Sequence, residues 1–202
     1  DIKENKLNLH GIVKRSRAIA KKLSNGIEYL FKKNNIQLIY GTAKIMKNKE
    51  LLITKNDMEE KLTATNIIIA TGAGPKKIKV SGNYEKLGLW DYFDAMTPSH
   101  IPKSLGIIGS GAIGIEFANF YNSLGSKVTV FEMANEVLPN EDFEVSEFLR
   151  KNLIKKGVQF HLNSSVTDIK KKDGLELSYK DVNTKKISNY NFEKILVAVG
   201  IE

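Results

Sequence analysis

Six residues, Gly109-Ser110-Gly111-Ala112-Ile113-Gly114, and one carboxylate, Glu132, carry the chemistry that this sequence spells most clearly. A G-x-G-x-x-G turn keeps side chains out of the way of backbone. Gly109 permits a tight turn, Gly111 lets the chain approach a pyrophosphate, and Gly114 lets a helix pack close to the strand before it. Ser110, Ala112 and Ile113 fill the positions between, where free N–H groups at a helix start suit an anion. Glu132 follows Gly109 by 23 residues and is placed to accept hydrogen bonds from ribose hydroxyls. Its charge repels a ribose 2′-phosphate, and no Lys or Arg occurs from Met133 to Asn140 to attract one. The pattern therefore favours NAD over NADP.

Glycines also cluster in ordinary turns, so the flanks decide. Leu105-Gly106-Ile107-Ile108 reads as a buried strand leading into the turn. Ile113, Phe117, Phe120, Tyr121 and Leu124 then fall on one face of a helix, which Gly125-Ser126 stops. Lys127 to Phe131 reads as a second strand, with Glu132 at its end. Glu141-Asp142 opens another helix, with Val145, Phe148, Leu149, Leu153 and Ile154 expected on its buried face and Lys155-Lys156-Gly157 as its stop. Val158 to Leu162 is expected as a third parallel strand, and Val166–Lys170, Leu175–Tyr179 and Lys186–Tyr190 as an antiparallel meander turning at Asp173-Gly174. Ile195 to Val199 closes the set as a buried strand before Gly200.

Upstream, Ile12 to Asn34 reads as an amphipathic helix with Ile19, Leu23, Ile27, Leu30 and Phe31 on one face. Ile36–Tyr40 is expected as a strand, Gly41-Thr42-Ala43 as its exit, and Lys44–Thr54 with Met58–Leu62 as short antiparallel strands about Lys55-Asn56-Asp57. Asn66-Ile67-Ile68-Ile69-Ala70-Thr71-Gly72 reads as a strand buried on both faces. It echoes Ile195 to Gly200, as if one domain design occurred twice with its first copy incomplete. Pro75 to Pro102, with Gly82, Gly88, Trp90, Tyr92 and Phe93, reads as a connector whose aromatics pack at a domain junction. The expected fold is α/β: a parallel sheet plus a three-stranded antiparallel meander, with part of a second, related domain.

Composition narrows the function classes. At 42% hydrophobic residues the chain can build a packed core, and no run approaches a membrane span of roughly 18 apolar residues. Zero cysteines exclude disulfides, thiolate metal sites and thiol catalysis within the chain, and no metal site is expected. Most of the net +8 falls in residues 1–74, which hold 14 Lys/Arg against 7 Asp/Glu. No RNA-module pattern accompanies that charge, so it reads as a solvated helix face rather than a nucleic-acid surface. The start at Asp1-Ile2-Lys3-Glu4 and the finish at Gly200-Ile201-Glu202 suggest a piece of a longer protein.

Taken together, these features resemble the flavoprotein disulfide reductases, and within that family its lipoamide branch. The specific stretches are Thr65 to Gly72, the G-S-G-A-I-G-I-E-F run from Gly109 to Phe117, Glu132, Val137-Leu138-Pro139, and Ala198 to Gly200. The long helix before Gly41-Thr42-Ala43 fits the lipoamide branch. The resemblance implies a Rossmann-like FAD/NAD(P)-binding fold, with the C-terminal part of an FAD domain in 1–74, a connector in 75–102 and an NAD domain in 103–202. It implies NAD contacts at Gly109, Ser110, Gly111, Ala112, Ile113, Gly114, Glu132, Val166 and Gly200, with Glu116 near flavin and nicotinamide. It implies FAD contacts at Gly41, Thr42, Ala43, Thr71 and Gly72. For the parent protein it implies reoxidation of dihydrolipoyl groups on the lipoyl domains of 2-oxoacid dehydrogenase complexes, with electrons passing through FAD to NAD in a homodimer. The compartment implied is a bacterial cytoplasm or an organelle matrix.

The departures are as informative. The family's flavin-binding G-x-G-x-x-G, its C-x-x-x-x-C redox pair and its acid/base His-Glu pair have no counterpart here, and His10, His100 and His161 match none of those positions. No catalytic residue carries over, and the chain alone is expected to be inactive on lipoamide. An NADH oxidase or peroxidase parent, and a non-catalytic NAD-binding module, stay open beside the lipoamide reading.

Overall fold

The computed structural model describes residues 7–80 and 84–202. Gly82 and the first four residues, named above, lie outside the described residues. The chain divides at Val13/Lys14 and at Gly72/Ala73, with Lys14–Gly72 forming one compact unit.

In the unit ending at Glu202, β4 (Ser104–Ile108), β5 (Lys127–Phe131), β6 (Gln159–His161) and β10 (Lys194–Val197) form a parallel sheet in the order β10-β4-β5-β6. The period of two sorts its side chains onto two faces. Leu105, Ile107, Val128, Val130 and Leu196 point into one core, which Ile115, Ala118 and Tyr121 of α4 (Ala112–Ser123) and Leu153 of α5 (Phe143–Lys155) complete. Ile108, Phe131, Ile195 and Val197 point into a second core against the meander β7 (Ser164–Lys172), β8 (Gly174–Asp181) and β9 (Ile187–Phe192). Two covered faces explain the continuous apolar runs Leu105–Ile108 and Ile195–Val197. Gly106 is required there, because a Cβ would stand 2.8 Å from the Phe192 ring.

Among the described residues of 75–102, several pack with this unit. Trp90 pairs with Leu196 along the outer edge of β10, donating its N–H to Ile195 O and accepting from Val197 N, each at 2.8 Å. Leu87 and Leu89 enter the meander core, and Trp90 and Ala95 enter the helix core. The short helices α2 (Tyr84–Leu87) and α3 (Tyr92–Met96) flank that bridge, and Asp91 caps α3 through the Phe93 and Asp94 N–H groups. Pro75 pairs antiparallel with Ile201.

Asp142 accepts the Glu144 and Val145 N–H groups and so starts α5 where expected. Its buried face differs from the expectation. Ser146 and Leu153 are buried, whereas Phe148 is 73% exposed and Val145 is also exposed.

In the other unit, β1 (Thr42–Ile45), β2 (Glu50–Lys55) and β3 (Met58–Thr63) make an antiparallel sheet, with a 3-10 turn at Lys47–Lys49. Asn56 and Asp57 both sit at positive φ, as a tight two-residue hairpin requires. Helix α1 runs from Leu9 to Lys33, with its residues from Lys14 onward in this unit, and begins earlier than expected because the Asn8 side chain accepts the Gly11 N–H at 2.8 Å. Its apolar stripe is where the sequence puts it, yet none of its residues is buried. Two expected strands are absent. Ile36–Tyr40 and Ile67–Ile69 form no ladder, and Ile68 is 91% exposed. An apolar run becomes a strand only beside a neighbour that takes its N–H and C=O groups, and among the described residues neither run pairs with a strand.

Candidate nucleotide-binding site

The turn after β4 is built by close approaches of backbone. Gly109 has φ +98, and a Cβ there would run into the Ala198 carbonyl oxygen. A Cβ on Gly114 would meet the Gly109 carbonyl oxygen in the same way. Gly111, the N-cap of α4, is different: a Cβ there would meet nothing within 4 Å. Its missing side chain opens onto a cavity of about 780 Å³ at the C-terminal edge of the parallel sheet. That is where ligands of open α/β sheets bind.

Gly109, Gly111, Ala112, Ile113, Glu132, Val166 and Gly200 all line this cavity. No side chain caps α4, so its first-turn N–H groups are left for a ligand at the positive end of the helix dipole. Gly200 has φ +115, with open space where a Cβ would lie. Ile78, Met133, Asn140, Ser164 and Ser165 join the lining from loops and strand ends where no periodicity singles them out. Among the described residues, Glu132 is the only ionisable side chain that lines the cavity.

Three of the residues expected at the nucleotide do not line this cavity. Ser110 is fully buried, and its N–H and hydroxyl both donate to Glu132 Oε2, each at 2.8 Å. Gly114 is buried behind the turn and serves packing. Glu116 is on the exposed side of α4 and does not line the cavity. Glu132 is held a third time, by the Ala134 N–H on Oε1 at 2.9 Å. Behind the wall, His161 stacks on Phe131 with 5.2 Å between ring centroids, and Tyr179 Oη lies 3.3 Å from its Nδ1. Burial pushes the His161 imidazole below its ordinary value.

The expected flavin contacts do not enclose a pocket. Gly41, Thr42, Ala43, Thr71 and Gly72 are all exposed, and the second cavity, about 290 Å³ between Ile39, Ile53 and Met58, includes none of them. Gly41 has a local reason to be glycine: a Cβ would lie 2.8 Å from Ile53 Cγ2 and 2.9 Å from Thr54 O. The residues at the end of β4 therefore fit a nicotinamide dinucleotide, and the residues expected at FAD line neither cavity.

Fold and site define a dinucleotide-binding unit of the oxidoreductase kind. A family model described as pyridine nucleotide-disulphide oxidoreductase matches residues 2–202, and the chain belongs to that family. Two relatives are the dihydrolipoyl dehydrogenases of Rhizobium etli, 37% identical over 95% of this chain and 43% of theirs, and of Zymomonas mobilis, 35% identical over 96% and 42%. A similar solved structure is the Cu(II) complex of RclA, an HOCl-induced flavoprotein disulfide reductase from Escherichia coli. It has a TM-score of 0.82 and 26% identity, covering 94% of this chain and 42% of that one. The chain thus spans about two fifths of the length of these relatives.

Proposed function

We propose that this chain is the NAD platform, with part of the flavin-side unit, of a dihydrolipoamide dehydrogenase that reoxidises dihydrolipoyl groups of 2-oxoacid dehydrogenase complexes. The supporting observation is the cavity at the tip of β4, open at Gly111 and carrying Glu132 as the one ionisable side chain of its wall among the described residues. What the nucleotide supplies when bound is a hydride acceptor. The chain's own work is to bind and orient it. The amides at the start of α4, those of the N-cap Gly111 and of Ala112 and Ile113, take the pyrophosphate. Glu132 takes the adenosine ribose and repels a 2′-phosphate, Val166 borders the adenine, and Gly200 leaves backbone room beside the nicotinamide. Gly41, Thr42, Ala43, Thr71 and Gly72 are the chain's share of an FAD site, and Glu116 stands on the flavin side of α4. The rest of the parent protein completes that site, forms the homodimer and meets lipoyl domains in a bacterial cytoplasm or an organelle matrix.

The identity to dihydrolipoyl dehydrogenases, 37% against 26% for RclA, favours the lipoamide branch. With no cysteine in the sequence, the chain alone does not turn over lipoamide. The test is calorimetric titration of the 202-residue chain with NADH and NADPH. NADH is expected to bind at least tenfold more tightly, about 1.4 kcal/mol. Equal affinities would remove the basis for the assignment.

A further inference from the structure

The turn residue Ser110 is fully buried and makes no part of the cavity wall, yet it spends both of its donors on Glu132, the one ionisable group among the described residues that does. Its N–H and its hydroxyl reach the same oxygen, Glu132 Oε2, at 2.8 Å each. The Ala134 N–H occupies one position on Oε1 at 2.9 Å. A carboxylate has about four acceptor positions, so the chain itself fills three of Glu132's. The Ser110 carbonyl also accepts the Leu138 N–H at 3.0 Å, which ties the turn to the loop that follows Glu132.

Resting on the NAD reading above, we infer that Ser110 is a positioning residue for nucleotide discrimination, locking Glu132 so that it presents one remaining acceptor to an unphosphorylated ribose and cannot swing away from a 2′-phosphate. The backbone donors alone fix each oxygen once. The hydroxyl adds a second bond to Oε2 and holds the carboxylate more tightly than the two backbone donors do. A locked anion repels a phosphate at short range, whereas a mobile one retreats toward solvent and screens the repulsion. Discrimination is thus built into a residue that touches no ligand.

The test compares dissociation constants for NADH and NADPH in the 202-residue chain and in Ser110→Ala. Losing this hydrogen bond is expected to narrow the NADH/NADPH ratio about fivefold, with NADH weakened and the repulsion of NADPH eased. A general folding defect would weaken both nucleotides alike and leave the ratio in place. Ser110→Cys keeps the shape with a weaker donor, should give an intermediate ratio, and carries the test if Ser110→Ala does not fold. In a Glu132→Ala background, Ser110→Ala should leave the ratio unchanged. An unaltered ratio in the single variants, or the same narrowing without Glu132, overturns the inference. A wild-type chain without NADH preference overturns instead the reading on which it rests.

Discussion

Gly114, in the first turn of α4, lies against the carbonyl oxygen of Gly109, so closely that a Cβ at Gly114 would overlap it. Two residues five apart in sequence thereby set how near the helix comes to the end of β4. Gly114→Ala tests this contact. Replacing a helical glycine by alanine normally gains about 1 kcal/mol. Here the obstacle is backbone, which cannot rotate aside, and overpacking of that kind costs about 1–3 kcal/mol or more. The variant is expected to be the less stable one, read as a lower denaturant midpoint with an unchanged slope. A stabilised Gly114→Ala would mean that the helix is free to back away.

Gly111→Ala is expected to do the opposite. Gly111 has φ −66 and ψ −179, which any residue adopts, and open space stands where the methyl would go. Stability should stay within about 0.5 kcal/mol of the wild type. The methyl would occupy the approach of the pyrophosphate, so NADH affinity should fall at least tenfold, about 1.4 kcal/mol. Thermal unfolding and calorimetry on one preparation measure both. An Ala variant that binds like wild type would move the phosphates away from this turn.

His161 makes the stability of its unit depend on pH. Burial among Phe131, Tyr179 and Tyr190 lowers its pKa from the ordinary 6.5. As pH falls below 6.5, the unfolded chain takes up a proton that the folded chain resists. The unfolded state then binds more protons, so stability falls with falling pH until the folded value is passed. His161→Phe keeps an aromatic ring in the stack and removes the titration. Its denaturant midpoint should decline less than that of wild type between pH about 7 and about 5. Parallel declines would assign the acid sensitivity to other groups.

The β4–α4–β5 segment was legible because three independent signals coincide there: an apolar run, glycines at fixed offsets, and a 3.6-residue period from Ile113 to Leu124. The paired partners of a strand are not written in its own residues. Ile67–Ile69 and Ile195–Val197 have nearly the same composition, but only the second lies beside a strand, β4, and is buried. The face of α5 failed for a related reason: Ser146 is buried in contact with the Leu138 carbonyl, while Phe148 is left outside. Glu132 was legible as an acid at the end of β5. Its bonds to Ser110 were not, because they depend on the β4–β5 register that sets Ile108 opposite Phe131.

Tyr121 measures how firmly the stretch before β4 belongs to the nucleotide-binding unit. Its ring is fully buried, edge-on to Phe120 and tilted against Trp90, with centroids 5.1 and 5.8 Å away. Burial pushes its phenol far above the ordinary range, so the hydroxyl remains a donor at every working pH. That donor goes to the Ala95 carbonyl of α3 at 2.7 Å, which fastens α3 to α4 through the core. Tyr121→Phe keeps the ring contacts and deletes only the hydroxyl. A buried carbonyl deprived of its partner costs about 1–3 kcal/mol, so the variant should unfold at a correspondingly lower denaturant concentration. Tyr121→Ala also removes the ring and should cost about 3–5 kcal/mol, as loss of a buried aromatic does. If Tyr121→Phe matched wild type while Tyr121→Ala fell, ring packing alone would hold α3, and the Ala95 hydrogen bond would contribute nothing to fixing this stretch.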